Sequence, residues 1–155
     1  MKDSKFILVT GATGYVGGRL VPKLLEAGYR VRCLVRDPSR LEGRAWLNKV
    51  EVVKADGLST DELVHALKGV STAYYLIHGK QGGKVNAERD LQIARNFSHA
   101  AEEAGIDNII YFGELVDPAA NLSPYLRARH ETGYLLRYGK VPVTELRAGM
   151  IVGSG

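Results

Sequence analysis

Short apolar runs alternate along the chain with segments in which apolar residues recur every three or four positions. The unbroken runs are typical of buried parallel strands and lie at 6–9, 31–35, 50–54, 73–77, 108–112 and 143–146. The periodic segments predict helices from about 15 to 27, from Ser59 to just before Gly69, and over about 85–104 and 124–138. We therefore predict an α/β fold with a doubly wound parallel sheet, in which right-handed crossovers favour the strand order 3-2-1-4-5-6. A Gly-rich basic loop is predicted over 79–84.

A glycine-rich turn follows the first strand and reads Thr10-Gly11-Ala12-Thr13-Gly14-Tyr15-Val16-Gly17. A strand before it and a helix after it form the context of a dinucleotide-binding fingerprint, here spaced G-x-x-G-x-x-G. Gly11 is predicted to turn the chain sharply, Gly14 to let a pyrophosphate approach the backbone, and Gly17 to let the helix pack closely. The phosphates would lie on the helix N-terminus, which makes Thr13, Tyr15 and Val16 part of the predicted site. An ordinary tight turn is the alternative, but it explains one glycine better than three.

The residues that end the second strand bear on the choice of nucleotide. A domain that binds NAD usually carries an acidic residue there, which binds the ribose hydroxyls. This chain has Arg36 at that position instead. An arginine fork suits a 2′-phosphate, so we predict NADP, with NAD as the alternative and with Thr13 and Arg32 as assistants. Two other interpretations stay open: Arg36 is a solvated side chain, or Asp37 takes the ribose.

Two further positions lie where ligands bind to such sheets, at the carboxyl ends of the strands. Asp56 and Gly57 follow the third strand, and we predict that they contact the adenine; the alternative for Asp56 is a turn carboxylate at a helix entry. His78 follows the fourth strand and is predicted to face the nicotinamide, where it could act as an acid or base. A histidine at a loop edge without a role is the alternative.

Length, charge and cysteine content narrow the possible partners, location and chemistry of the protein. A chain of 155 residues predicts one domain, and a net charge of +4 from scattered basic residues argues against a nucleic-acid partner. We find no apolar stretch of membrane-spanning length and no room for a signal peptide before the first strand, so we predict a cytoplasmic protein without a membrane partner. Cys33 is the only cysteine, and we expect neither disulfides nor a metal site.

Several segments resemble the atypical short-chain dehydrogenase/reductases, and the nearest group is the NmrA-like NAD(P)-binding proteins. The resemblance rests on residues 10–17, Val35-Arg36-Asp37-Pro38, Ala55-Asp56 and residues 146–153, and it runs over essentially the whole chain. It implies a Rossmann fold that binds NADP or NAD. Because such relatives continue beyond the sixth strand, we expect residues 1–155 to form a single NAD(P)-binding domain that lacks a C-terminal substrate-binding portion.

The resemblance also implies where chemistry would take place. In the dehydrogenase families a Tyr and a Lys four residues later handle the proton, helped by a Ser or Thr after the fifth strand. Here Tyr125 and Arg129 take the first two positions, and Gly113-Glu114 lies near the third. Arginine keeps the charge but differs in shape, and an ionised glutamate cannot donate a hydrogen bond. Tyr125 could instead be a surface aromatic.

Two functions therefore stay open at this point. One is an NADP-dependent reductase, or a sugar- or isoprenoid-converting enzyme, with Tyr125 and Arg129 as its proton-handling pair. The other is a cofactor-sensing, regulatory or partner-binding module without chemistry. The sequence does not indicate a substrate. A homodimer that pairs the helices at 85–104 and 124–138 is a further expectation from the resemblance.

Overall fold

Strands and helices alternate in the computed structural model, which describes residues 5–78, 80–81, 84–117 and 119–153. The strands are β1 (Phe6–Thr10), β2 (Arg30–Val35), β3 (Glu51–Lys54), β4 (Val70–Tyr75), β5 (Lys80–Gln81), β6 (Lys84–Val85), β7 (Asn108–Glu114) and β8 (Val143–Ala148). The helices are α1 (Tyr15–Glu26), α2 (Thr60–Leu67), α3 (Ala87–Ala104) and α4 (Pro124–Tyr138). Two short 3₁₀ turns, Pro38–Leu41 and Leu47–Lys49, connect β2 to β3.

Six strands form one parallel sheet in the order β3-β2-β1-β4-β7-β8. When the six strands of this sheet are numbered 1 to 6 in chain order, leaving out β5 and β6, their order is 3-2-1-4-5-6. This is the predicted order, so the predicted Rossmann fold is confirmed. The order reverses between β1 and β4, and this is the place where doubly wound sheets bind ligands. Strands β5 and β6 form a separate antiparallel hairpin within the predicted loop 79–84, of which residues 79, 82 and 83 lie outside the described part.

A hydrophobic core covers each face of the sheet. The core beneath α1 includes Val9, Val21 and Cys33, all without exposed surface. The core beneath α2, α3 and α4 is built around an edge-to-face contact between Tyr75 and Phe97, whose ring centroids are 5.0 Å apart. Because side chains fill both faces, ligand-sized space is left at the strand ends.

Side-chain caps fix where three helices begin. The oxygens of Ser59, Asn86 and Ser123 accept hydrogen bonds from backbone N–H groups at the starts of α2, α3 and α4. At α2 the Ser59 half of the capping box forms, at 3.4 Å, but Glu62 accepts from the Asp56 N–H at 2.8 Å. Glu62 thereby ties the end of β3 to the helix that follows.

The suggested help of Arg32 with a 2′-phosphate is wrong. Its guanidinium donates through Nη1 to the carbonyl oxygens of Ala66 and Lys68, both at 2.7 Å, and its Nε lies 2.9 Å from Glu51 Oε1. A cation at this place satisfies carbonyl groups that the end of α2 leaves without partners. Arg32 is therefore a buried cap of α2 and does not reach the strand ends.

Candidate functional site

The turn after β1 has the geometry that the glycine spacing predicts. Gly11 adopts a φ of 67°, and a Cβ placed on it would lie 3.0 Å from the carbonyl oxygen of Leu76. A Cβ on Gly17 would lie 2.3 Å from the carbonyl oxygen of Gly11, far inside any real contact. The first turn of α1 therefore packs directly on the backbone of the preceding turn, as predicted for Gly17.

Thr10 holds the two central strands together at the edge of this turn. Its fully buried hydroxyl donates to the Tyr74 carbonyl oxygen at 3.1 Å and accepts from the Leu76 N–H at 2.8 Å. These bonds join the end of β1 to the end of β4. They fix the floor of the crevice where the strand order reverses.

A cavity of about 500 Å³ opens at this crevice. Six of the predicted site residues line it: Gly11, Thr13, Gly14, Arg36, Gly57 and His78. The structure adds further lining residues from the ends of the strands and from the start of α3, namely Leu34, Val35, Asp37, Arg40, Ala55, Leu76, Ile77, Asn86, Arg89, Asp90 and Ile93. The predicted residues Tyr15, Val16, Gly17 and Asp56 are not among the lining residues.

Tyr15 and Val16 offer main-chain rather than side-chain groups to a ligand. Tyr15 stacks under the Arg19 guanidinium at 3.8 Å, and Val16 packs against the core beneath α1. The first N–H groups of a helix lack partners within the helix, and in α1 these belong to residues 15–17. No acidic side chain lies in this first turn, so the positive end of the helix faces the cavity without an anion of the protein.

One end of the cavity is basic. Arg36 and Arg40 both line it and are both exposed. Asp37 lies between them, but its Oδ1 accepts from the Ser39 hydroxyl at 2.7 Å and from the Ser39 N–H at 3.1 Å. These two hydrogen bonds lower the pKa of Asp37, and they commit its Oδ1 to starting the 3₁₀ turn.

Asp56 and Gly57, which the sequence predicts to contact the adenine, lie just after the end of β3. Asp56 Oδ1 accepts from the Leu58 N–H at 3.0 Å and is 3.7 Å from Arg89 Nη2. Gly57 passes so close to α3 that a Cβ on it would meet Ile93 at 2.7 Å. Asp56 therefore forms the turn that leads into α2, and Gly57 supplies the cavity wall itself.

At the other end of the cavity, a second and much smaller one of about 10 Å³ shares lining residues with it. It is lined by Ile77, His78, Asp90, Tyr125, Ala128, Arg129 and Thr132. The predicted catalytic pair and the predicted nicotinamide-side histidine therefore lie together. Burial raises the pKa of the Tyr125 phenol, and the charge of Arg129 only partly opposes this shift.

Arg129 is buried and binds the end of β7. Its Nη2 donates to the Phe112 carbonyl oxygen, and its Nε lies 3.7 Å from Glu114 Oε1. The Tyr111 hydroxyl donates to the Arg129 carbonyl oxygen at 2.7 Å. Arg129 Nη1 is buried without a hydrogen-bond partner among the described residues, and Arg129 also lines the small cavity.

Several lining residues were missed by the sequence analysis. Arg40 lies on a 3₁₀ turn whose position the apolar pattern does not indicate. Asn86, Arg89 and Asp90 belong to the first turn of α3, which follows β4 and hence the switch point. That helix start, read together with the ligand rule for strand ends, is the signal that could have identified them.

In the described part of the chain, no cluster of metal-binding side chains is found, and Cys33 is a buried free thiol. Among the helices described, none combines the length and the apolar character needed to cross a membrane.

Solved structures share this fold across most of the chain. The triphenylmethane reductase of Citrobacter sp., complexed with NADP(H), is 28% identical with a TM-score of 0.76, over 91% of this chain and 48% of that one. The NADPH-dependent quinone oxidoreductase of Escherichia coli, complexed with NADPH, is 27% identical with a TM-score of 0.76, over 91% and 48%.

A curated relative by sequence is the 3-beta-hydroxysteroid dehydrogenase of Mycolicibacterium neoaurum. It is 30% identical over 115 residues, which are 68% of this chain and 31% of the relative. The chain thus spans about a third of that protein and about half of the structural neighbours.

The model of the NAD(P)H-binding family matches residues 11–153, from the first glycine of the turn to the end of the described structure. With the glycine turn, the strand order and these neighbours in agreement, the chain belongs to the NAD(P)H-binding family of the atypical short-chain dehydrogenase/reductases.

Proposed function

We propose that this chain is the cofactor-binding domain of a reductase that uses NADP in preference to NAD. The observation that carries the proposal is the basic end of the cavity, where Arg36 and Arg40 line the wall while the Asp37 carboxylate is bound to Ser39. A 2′-phosphate finds two arginine forks there. The ribose hydroxyls of NAD would find a carboxylate whose Oδ1 already accepts two hydrogen bonds from Ser39.

The rest of the cavity fits the other parts of a dinucleotide. The N-terminus of α1 offers N–H groups and no competing acid, which suits a pyrophosphate. Gly11 and Gly14 line the same wall and have no side chain that would block the approach. A bound nicotinamide would supply hydride transfer, and the chain's own residues would hold the dinucleotide across the switch point.

Reductase activity is the part of the proposal that the relatives support. The three relatives described above are named as a dehydrogenase, a reductase and an oxidoreductase, which makes the alternative of a module without chemistry the less favoured one. Tyr125 and Arg129 as the proton-handling pair stay a prediction. The small cavity that they share with His78 supports it, and the attachment of Arg129 to β7 sets it apart from the usual lysine. The substrate is not indicated.

The remaining expectations also stay predictions: the single domain over 1–155 without its substrate-binding portion, the cytoplasmic location and the homodimer. Two exposed aromatic rings on α4, Tyr134 and Tyr138, stack 6.2 Å apart and support helix pairing between copies.

The test is a titration of the chain with NADPH and with NADH, followed by nicotinamide fluorescence or by calorimetry. We expect NADPH to bind more tightly. In the variant Arg36→Ala we expect NADPH affinity to fall by roughly 10- to 100-fold, because a charged hydrogen bond contributes about 1.5–3 kcal/mol. NADH affinity should change little.

The matched control is Arg95→Ala, which removes the same charge from an exposed position on α3 outside the cavity. It should leave both affinities unchanged. Equal losses for NADPH and NADH in Arg36→Ala, or tighter binding of NADH by the unaltered chain, would overturn the preference for NADP.

A further inference from the structure

His78 is exposed just after the end of β4, and one hydrogen bond orients its ring. Its Nδ1 lies 3.0 Å from the Leu76 carbonyl oxygen. A carbonyl oxygen can only accept, so Nδ1 carries the proton of this hydrogen bond. In the neutral ring the lone pair is therefore on Nε2.

His78 is also the point where the two cavities meet. It lines the large cavity together with Arg89 and Asp90 of α3, and the small cavity together with Asp90 of α3 and Tyr125 and Arg129 of α4. These are the charged and titratable groups of the described residues that share the cavity walls with it at this end. The basic end, at Arg36, lies across the switch point on the β2 side.

Tyr125 and Arg129, the pair that stays a prediction above, hold their protons differently from an imidazole. Tyr125 keeps its proton because burial raises its pKa. The Arg129 guanidinium is held by the end of β7, where its Nη2 donates to the Phe112 carbonyl oxygen and its Nε lies 3.7 Å from Glu114 Oε1. An imidazole whose Nδ1 donates to a carbonyl oxygen keeps Nε2 as its second site for a proton, which suits it to proton exchange.

We propose that His78 exchanges a proton, through Nε2, with a substrate oxygen at the nicotinamide end of the cavity. This rests on the proposed function, in which the dinucleotide spans both ends. When bound, a reduced nicotinamide would supply hydride, with its electron pair, to a carbonyl carbon of the substrate, and the carbonyl oxygen would need one proton to become a hydroxyl. The Nε2–H of the imidazolium gives that proton, the ring becomes neutral with its proton on Nδ1, and solvent restores the lost proton.

The test uses nitrogen-15 NMR of the histidine rings, which reads protonation directly and needs no substrate. The chain has four histidines, and the variant His78→Gln assigns the signals of His78. Without ligand, we expect the neutral ring to carry its proton on Nδ1. On addition of NADPH we expect the His78 signals to shift, whereas 2′,5′-ADP, which has the adenosine phosphates but no nicotinamide, should leave them in place.

His99 is the internal reference, because it is exposed on α3, 4.0 Å from Glu103 and outside both cavities. Its signals should not respond to either ligand. A neutral ring protonated on Nε2 would overturn the proposal. The proposal would also be overturned if fluorescence showed that NADPH binds and the His78 signals did not shift. If NADPH does not bind at all, the proposed function fails first, and this inference fails with it.

Discussion

Gly17 is the position where the structure permits the sharpest test of the phosphate-binding turn. In Gly17→Ala the new Cβ would lie 2.3 Å from the Gly11 carbonyl oxygen, 2.8 Å from its carbonyl carbon and 2.9 Å from the Ala12 Cα. All three atoms belong to the backbone, so no side chain can rotate away. Relief requires that α1 and the turn separate by about 1 Å, since ordinary contacts begin near 3.5 Å.

Two opposing effects decide how much the free energy of unfolding changes. Overpacking lowers it by about 1–3 kcal/mol, and the better helix propensity of alanine raises it by up to about 1 kcal/mol. Because the opposing atoms are backbone, we expect a net loss of about 2 kcal/mol. With a urea slope of about 2 kcal/mol per molar, the midpoint of unfolding falls by roughly 1 M. NADPH binding should weaken as well, because the N–H groups of the turn move.

The neighbouring variant Gly18→Ala is the matched control. Its Cβ would meet the Arg44 Nη1 at 3.2 Å, and this is the far end of a flexible, exposed side chain that can yield. The same chemical change one residue later should therefore be neutral, or stabilising by about 0.5 kcal/mol. Urea unfolding followed by circular dichroism gives both midpoints. A Gly17→Ala variant as stable as the unaltered chain, or equal losses in the two variants, would refute the argument from close packing.

Three further predictions concern other positions. Arg32→Met removes the cap of α2 and should lower the free energy of unfolding by about 2–3 kcal/mol in a urea titration, without changing the ratio of NADPH to NADH affinity. A changed ratio would contradict the assignment of Arg32 to α2. The pKa of Asp37 is lowered in the folded chain from its usual 3.8 by hydrogen bonds from Ser39, so its stabilising effect is present above that value and is lost as the pH falls through the lowered pKa. Asp37→Asn should accordingly be less stable than the unaltered chain at pH 7, and the difference between their urea midpoints should vanish in acid; a difference that persists there would contradict this. Tyr125→Phe should keep its NADPH dissociation constant in a fluorescence titration, because Tyr125 lines the small cavity and not the large one, and a large loss of affinity would show that the phenol contacts the dinucleotide.

Local patterns were enough to predict the geometry of the glycine turn and the order of the sheet. Gly11 and Gly17 act within a few residues of one another, so their spacing alone carries the geometry. The observed bounds of α4 agree with the predicted helix 124–138, and the start is fixed because Ser123 caps the helix and Pro124 begins it. The sheet order follows from general rules for right-handed crossovers and needed no particular contact.

Contacts between distant segments could not be predicted in this way. The apolar run 31–35 places Arg32 in a strand, but nothing in it indicates that its guanidinium reaches the end of α2. The attachment of Arg129 to the carbonyl of Phe112 likewise depends on how α4 lies on β7. β4 ends at Tyr75, earlier than its apolar run, and this releases Leu76 and Ile77 to line the cavity. Each of these differences comes from packing across more than ten residues of sequence.

The Thr10 hydroxyl has a consequence for the time course of synthesis. Its partners are 64 and 66 residues further along the chain, so the glycine turn leaves the ribosome long before its floor exists. Until β4 has been made and paired with β1, the nascent chain has no walls at Leu76 or His78 to enclose a dinucleotide. Free NADPH should therefore stabilise only chains in which β4 has been made and paired with β1, because only these have a complete crevice to which it can bind.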